Sequence, residues 1–116
     1  MRLFLALALW GAGCATDVTA AEAKRLVKSG ATVLDVRSKE EFRERHIPGA
    51  VNIPVEELKK RMSELPREKP LVVHCHTGAR SGAAVIMLKR AGFSEVHNLG
   101  SMGRWYVELP ETPPLY

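Results

Sequence analysis

The sequence predicts an α/β fold with a mostly parallel central sheet of about five short strands and helices on both faces. Short apolar segments rich in β-branched residues alternate with amphipathic helical segments along most of the chain. This alternation is typical of parallel strands joined by right-handed crossovers. The 116 residues contain no internal repeat and are near the usual size of one domain. We therefore expect one sheet in a single domain.

The composition is that of a soluble globular protein. Hydrophobic residues make up 46% of the chain and charged residues 26%. The formal net charge of +4 is mild, the basic residues are spread along the chain, and many lie among glutamates on predicted helix faces. Since no basic patch with interleaved aromatic residues is present, we expect no nucleic-acid partner.

The first fifteen residues are typical of a secretory signal. Arg2 precedes the apolar run 3–10, and small residues follow it up to Ala15. The run is shorter than the roughly 20 apolar residues that a membrane-spanning helix needs. We expect a signal peptide over residues 1–15, a domain over 16–109, an extended tail over 110–116, and a periplasmic or otherwise exported protein.

Two routes of signal processing are compatible with the sequence. Cleavage after Ala15 would release the domain. Alternatively, Ala12-Gly13-Cys14 resembles the end of a bacterial lipoprotein signal and would place a lipid on Cys14, although Gly11 stands where that pattern usually has Leu. Only lipidation implies a membrane partner. Both routes leave Cys75 without a disulfide partner in its own chain.

Local signals mark the helices. Thr19 and Glu22 form a capping box, in which each side chain accepts a hydrogen bond from the other residue's backbone N–H, and Gly30 ends the helix that follows. Ser38 and Glu41 form a second capping box for a short helix to about residue 45. Further helices are predicted from Pro54 past Met62, over residues 82–90, and after a turn at residues 100–105.

The strands are predicted from short runs of Val, Ile, Leu and Thr between turn residues. The first of them is only two residues long. In order, the predicted strands are residues 17–18, 31–37, 50–53, 70–73 and 94–99.

Cys75 lies where a buried strand gives way to a tight loop and then a helix. Backbone N–H groups of such a loop and the helix N-terminus favour an anion, and Arg80 adds a positive charge. The environment therefore favours thiolate over thiol and predicts a nucleophile. Asp35, Arg37 and the turn at Gly100 also follow strands, and the carboxyl ends of parallel strands are where ligands bind.

Four segments, taken together and in order, resemble the rhodanese or sulfurtransferase family in its single-domain exported form. They are Leu34–Arg37 with Glu41-Phe42, His46–Pro54, Cys75–Ser81, and Gly92-Phe93 with Leu99–Trp105. The resemblance extends over about residues 17 to 107. Two positions depart from it: Arg45 stands where the family often has Gly, and Ser101 replaces the second of two adjacent glycines.

The resemblance implies a two-step transfer of sulfur. The Cys75 thiolate would take the outer sulfur of thiosulfate or a similar small anionic donor as a persulfide, and cyanide or a thiol would then accept it. No metal and no organic cofactor is needed. The donor would be bound by the residues of the loop, which are His76, Thr77, Gly78, Ala79 and Arg80.

Three residues are expected to support this site from outside the loop. Asp35 and Arg37 are interpreted as a carboxylate and a guanidinium that hold neighbouring loops, and substrate contact is the alternative for each. Trp105 is interpreted as a packing residue that could also wall the pocket. Within the loop, the side chain of His76 is expected to point to solvent.

Two other kinds of function are weighed against sulfur transfer. Cysteine phosphatases and arsenate reductases place five residues between the cysteine and the arginine, whereas four separate Cys75 from Arg80. The smaller loop suits a single sulfur better than a tetrahedral oxyanion. A non-catalytic sulfur carrier or redox binding module would also use Cys75.

The loop lacks the small residues that follow the cysteine in family members that prefer mercaptopyruvate. This difference favours thiosulfate or a protein persulfide as donor.

Overall fold

The computed structural model describes residues 16–107. The predicted signal peptide and the predicted tail lie outside these residues. Within this range, no helix is long and apolar enough to cross a membrane.

The centre of the fold is a parallel sheet of four strands in the order β2-β1-β3-β4. The strands are β1 Thr32–Asp35, β2 Val51–Asn52, β3 Leu71–Cys75 and β4 Val96–Ser101. The central strand β3 pairs with both β1 and β4, and all pairs are parallel. The carboxyl ends of the strands therefore share one edge, and Cys75 is the last residue of β3.

Within residues 16–107, five helices connect and cover the strands. They are α1 Ala20–Lys28, α2 Lys39–Glu44, α3 Leu58–Arg61, α4 Ala79–Arg90 and α5 Gly103–Tyr106. Both predicted capping boxes are present, at Thr19 with Glu22 and at Ser38 with Glu41. The helix predicted from Pro54 is α3 flanked by two 3₁₀ turns, Val55–Glu57 and Met62–Glu64.

Two buried clusters lie on the two faces of the sheet. Alternate residues of β3 point to opposite sides, as the period of two requires. Leu71, Val73 and Cys75 join a large cluster with apolar residues of α4 and α3. Val72 joins a smaller cluster with Ala23 of α1. The predicted covering of both faces is thus confirmed.

The prediction of about five strands was wrong by one within the described residues. Asp17 and Val18 are not a strand. The Asp17 backbone N–H donates to the Asn98 carbonyl oxygen at 3.0 Å, and the Asn98 N–H donates to the Asp17 carboxylate at 2.7 Å. Because one of these two bonds uses the side chain, the segment lies along β4 without forming a ladder.

The helix after Cys75 begins three residues earlier than predicted. Gly78 caps it with φ 110°, a left-handed conformation that glycine adopts without strain. Ala79 can then be the first helical residue, so Arg80 and Ser81 belong to the first turn of α4. Arg45, where a glycine would be usual in the family, has φ −166°, which is extended backbone that any residue adopts.

Candidate active site

Cys75 is fully buried at the end of β3, with its sulfur facing the loop that leads into α4. The Gly78 backbone N–H donates a hydrogen bond to the sulfur at 2.9 Å. The left-handed conformation of Gly78 turns the chain back toward the sulfur. Because the first N–H groups of a helix have no partner within the helix, those of α4 are available to an anion there.

These donors make the sulfur acidic. Burial raises the pKa of the Cys75 thiol, but hydrogen bonds from the Ser81 hydroxyl and from the N–H groups of Ser81, Gly78 and Arg80 outweigh it. The pKa therefore lies below its ordinary value, and the thiolate is favoured as a nucleophile.

The Ser81 hydroxyl has a choice of acceptors. It is fully buried and lies 3.1 Å from the Gly78 carbonyl oxygen and 3.5 Å from the Gly100 carbonyl oxygen. A hydroxyl has one proton to donate, and a charged acceptor binds it more strongly than a neutral carbonyl does. Ionisation of Cys75 is therefore expected to draw this proton to the sulfur.

Arg80 forms an ion pair with Glu41 of α2. Its two terminal nitrogens lie 2.7 and 3.1 Å from the two carboxylate oxygens, a bidentate geometry. The Arg80 hydrogen bond and the backbone N–H of Ser38 lower the pKa of Glu41 to about 2. The positive charge predicted for the loop is present, but a neighbouring carboxylate already binds it.

Asp35 and Arg37 form a second, buried ion pair at the end of β1. The Arg37 guanidinium donates to the Asp35 carboxylate at 2.6 to 3.0 Å and to the Arg45 carbonyl oxygen at 2.7 Å. The Asn52 amide donates to the carbonyl oxygens of both residues at 3.0 Å. This network ties β1 to β2 and to the end of α2, in line with the predicted holding role.

His74 lies between this network and the nucleophile. It is fully buried, its Nε2 is 3.6 Å from the Asp35 carboxylate, and its Nδ1 is 3.3 Å from the Cys75 carbonyl oxygen. Burial lowers the pKa of His74 and favours its neutral form. The side chain supports the end of β3 from inside the core.

The other residues of the loop after Cys75 differ in exposure. His76, Thr77 and Ala79 are exposed, with the His76 side chain in solvent as predicted, whereas Gly78 is buried. Trp105 is half-buried against the smaller core cluster, and the Lys24 ammonium lies 5.4 Å from its ring centre. These contacts give Trp105 a packing role on the α1 side of the sheet.

Sequence reasoning missed two residues that the structure brings to the site. Ser81 was included in the motif but given no role, because the helix was predicted to begin at Gly82 rather than at Ala79, where Ser81 falls in the first turn. Glu41 was assigned to a helix cap and to a segment that resembles the family, but not to a contact with Arg80. Its pairing with Arg80 joins positions 39 residues apart, and no local pattern indicates it.

A family comparison agrees with this geometry. The family described as the rhodanese-like domain matches residues 19–108, which includes β1 to β4 and the whole Cys75 loop. The chain belongs to the rhodanese-like family.

Relatives with assigned names include sulfurtransferases. The thiosulfate sulfurtransferase GlpE of Pseudomonas syringae is 33% identical over 91 residues, which are 78% of this chain and 86% of that protein. The thiosulfate sulfurtransferase PspE of Escherichia coli is 35% identical over 71 residues, which are 60% of this chain and 68% of that protein.

Other relatives are longer than the matched region. The Bacillus subtilis protein YqhL is 41% identical over 76 residues, 65% of this chain, and the putative sulfur carrier protein YrkF of the same organism is 43% identical over 67 residues, 58% of this chain. The chain spans 60% and 36% of their respective lengths. The rhodanese-like family therefore provides both transferase-named and carrier-named relatives.

Solved structures of the family superpose on this fold. A rhodanese-related protein from Thermoplasma volcanium has a TM-score of 0.71 at 35% identity, covering 79% of this chain and 91% of its own. A rhodanese-like domain protein from Staphylococcus aureus has a TM-score of 0.69 at 26% identity, and the match covers 78% of this chain and 91% of that protein. The parallel α/β architecture is thus that of the rhodanese-like domain.

Proposed function

We propose that this chain is a sulfurtransferase that carries a sulfane sulfur on Cys75 as a persulfide. Thiosulfate or a similar donor supplies the sulfur, and cyanide or a thiol accepts it. The observation that carries the proposal is the buried Cys75 sulfur, with the Gly78 N–H at 2.9 Å and a thiol pKa below its ordinary value.

In the first step the Cys75 thiolate attacks the outer sulfur of thiosulfate. A bond forms between the two sulfurs, the bond to the sulfonate sulfur breaks with its electron pair, and sulfite leaves. The negative charge moves from Cys75 Sγ to the new terminal sulfur. The N–H groups of the loop that stabilise the thiolate can also stabilise the negative charge on this terminal sulfur.

In the second step the acceptor attacks that terminal sulfur. With cyanide, a carbon–sulfur bond forms, the sulfur–sulfur bond breaks, and the Cys75 thiolate is regenerated as thiocyanate leaves. The loop residues His76, Thr77 and Ala79 are exposed, and Arg80 lies beside them in its ion pair with Glu41. We assign donor and acceptor contact to this rim of the loop.

A sulfur carrier is the second candidate, since one relative bears that name. A carrier would form the same Cys75 persulfide but deliver it to a partner protein rather than turn over small acceptors. Export from the cytoplasm, with cleavage after Ala15 or lipid attachment at Cys14, is proposed for either role on the N-terminal sequence alone.

The deciding experiment is thiocyanate formation from thiosulfate and cyanide by the full chain. We expect turnover by the natural protein, none by Cys75→Ser, and unchanged turnover by Cys14→Ser, which makes the same chemical change at the other of the two cysteines. Hydrolysis of an aryl phosphate that depends on Cys75 would instead support phosphatase chemistry. A persulfide that forms without turnover would support the carrier.

A further inference from the structure

We propose that Glu41 sets which sulfur donors the site accepts, by neutralising Arg80 and so disfavouring doubly charged donors relative to singly charged ones. This inference rests on the proposed sulfur transfer at Cys75 and assigns it a donor class. A singly charged donor, such as a thiosulfonate or an organic persulfide, suits this site better than the thiosulfate dianion.

The Glu41–Arg80 pair lies at the start of α4, beside the loop that holds the nucleophile. Both side chains are partly open to solvent, 36% for Arg80 and 33% for Glu41. Arg80 is also close enough to Cys75 and Asp35 for both charges to act on its guanidinium. An anion bound over Cys75 therefore meets Arg80 and the carboxylate that Arg80 binds.

Glu41 is held in place from its other side. Its carboxylate accepts a hydrogen bond from the Ser38 backbone N–H at 3.0 Å, while its own N–H donates to the Ser38 hydroxyl at 3.1 Å. This capping box fixes the side chain on the first turn of α2. Arg80 thus meets a fixed charge, and a donor must compete with it for the guanidinium.

The charges of the two ion pairs around the Cys75 loop cancel. Asp35 pairs with Arg37 at 2.6 Å and Glu41 pairs with Arg80 at 2.7 Å, which makes two cations and two anions. The Cys75 thiolate adds one negative charge that only N–H and O–H dipoles offset. Coulomb energy is proportional to the charge of the incoming donor, so a dianion is disfavoured twice as strongly as a monoanion.

The first test measures how the charges around Cys75 affect the approach of an anion, without any sulfur transfer. Cys75 is alkylated with iodoacetate, an anion, and with iodoacetamide, its neutral analogue, and the ratio of the two rates is compared between the natural protein and Glu41→Gln. Any change in the Cys75 pKa affects both rates equally and cancels in the ratio. We expect the anion-to-neutral ratio to rise about threefold in Glu41→Gln, as for one partly solvated charge.

The second test compares two donors of different charge. Thiosulfate is a dianion and methanethiosulfonate a monoanion, and each transfers its outer sulfur to Cys75 and releases sulfite or a sulfinate. We expect kcat/KM to rise about tenfold for thiosulfate and about threefold for methanethiosulfonate in Glu41→Gln, because the logarithm scales with the charge. Both gains should shrink in about 1 M salt, where the screening length is about 3 Å.

Glu40→Gln is the matched control, since it removes the same charge from the adjacent, exposed position of α2. Glutamine at position 41 keeps an oxygen that can accept the Ser38 N–H, so the helix cap survives. The proposal is overturned if the alkylation ratio in Glu41→Gln stays constant or falls, or if Glu40→Gln changes it equally. A raised ratio with no persulfide from any donor would uphold the role of Glu41 and reject sulfur transfer.

Discussion

Ser81 and Gly78 determine how readily Cys75 ionises. The Gly78 N–H donates to the sulfur at 2.9 Å. The buried Ser81 hydroxyl lies 3.1 Å from the Gly78 carbonyl oxygen and also lowers the pKa of the Cys75 thiol. A hydrogen bond to a charged acceptor contributes about 1.5–3 kcal/mol. Of these two donors, only the hydroxyl can be removed without altering the backbone of the loop.

Ser81→Ala should raise the pKa of the Cys75 thiol, because one donor to the thiolate is lost while burial still disfavours the charge. Alkylation by iodoacetamide at pH 7 should then be about tenfold slower, and the midpoint of its pH profile should move upward. Ser63→Ala, at an exposed serine, is the control. An unchanged profile would mean that Ser81 donates only to the carbonyl oxygens.

At the scale of elements, one carboxylate joins α2 to α4. Glu41 caps α2 through Ser38 and binds Arg80 on the first turn of α4. These two interactions lower the pKa of Glu41 from 4.5 to about 2. A carboxyl group whose pKa is lower in the folded state contributes stability that is present above its unfolded pKa and is lost as the pH falls through its folded pKa.

The link between α2 and α4 should therefore weaken between pH 4.5 and about 2. At pH 7, Glu41→Gln should be less stable to urea by about 1 kcal/mol or less, as expected for a partly exposed pair. The difference from the natural protein should disappear toward pH 2, while Glu40→Gln should show little difference throughout. A difference in the free energy of unfolding that stays constant from pH 7 to pH 2 would show that the charge of Glu41 does not stabilise the link between α2 and α4.

How far the sequence predicts these elements depends on the distance over which each signal acts. Both capping boxes were predicted correctly because each spans three residues and needs no tertiary partner. The start of α4 was not, because it depends on the left-handed Gly78. The strand expected at residues 17–18 was wrong because Asp17 uses its side chain to bond Asn98, 81 residues away.

At the scale of the whole molecule, the buried pair of Asp35 and Arg37 holds together the edge of the sheet on which the site is built. It ties β1 to β2 through Asn52 and to the end of α2 through the Arg45 carbonyl oxygen. Both side chains are almost completely buried, at 0% and 5% exposure. An uncompensated charge here would lower the free energy of unfolding of the entire domain, because small domains unfold cooperatively.

Asp35→Asn should lower the free energy of unfolding by about 3 kcal/mol, because it leaves the Arg37 guanidinium buried without a counter-charge. Urea denaturation measures this, and Glu44→Gln at an exposed position provides the control. A loss well below 1 kcal/mol would show that water or another residue compensates the charge.

If sulfur resides covalently on Cys75 between donor and acceptor, intact-protein mass spectrometry will detect the added atom. The full chain is incubated with thiosulfate or methanethiosulfonate, desalted and weighed beside Cys75→Ser. We expect one added sulfur atom on the natural protein only, removed by cyanide with release of thiocyanate. Thiocyanate formation with no retained sulfur, or an equal gain of mass by Cys75→Ser, would contradict it.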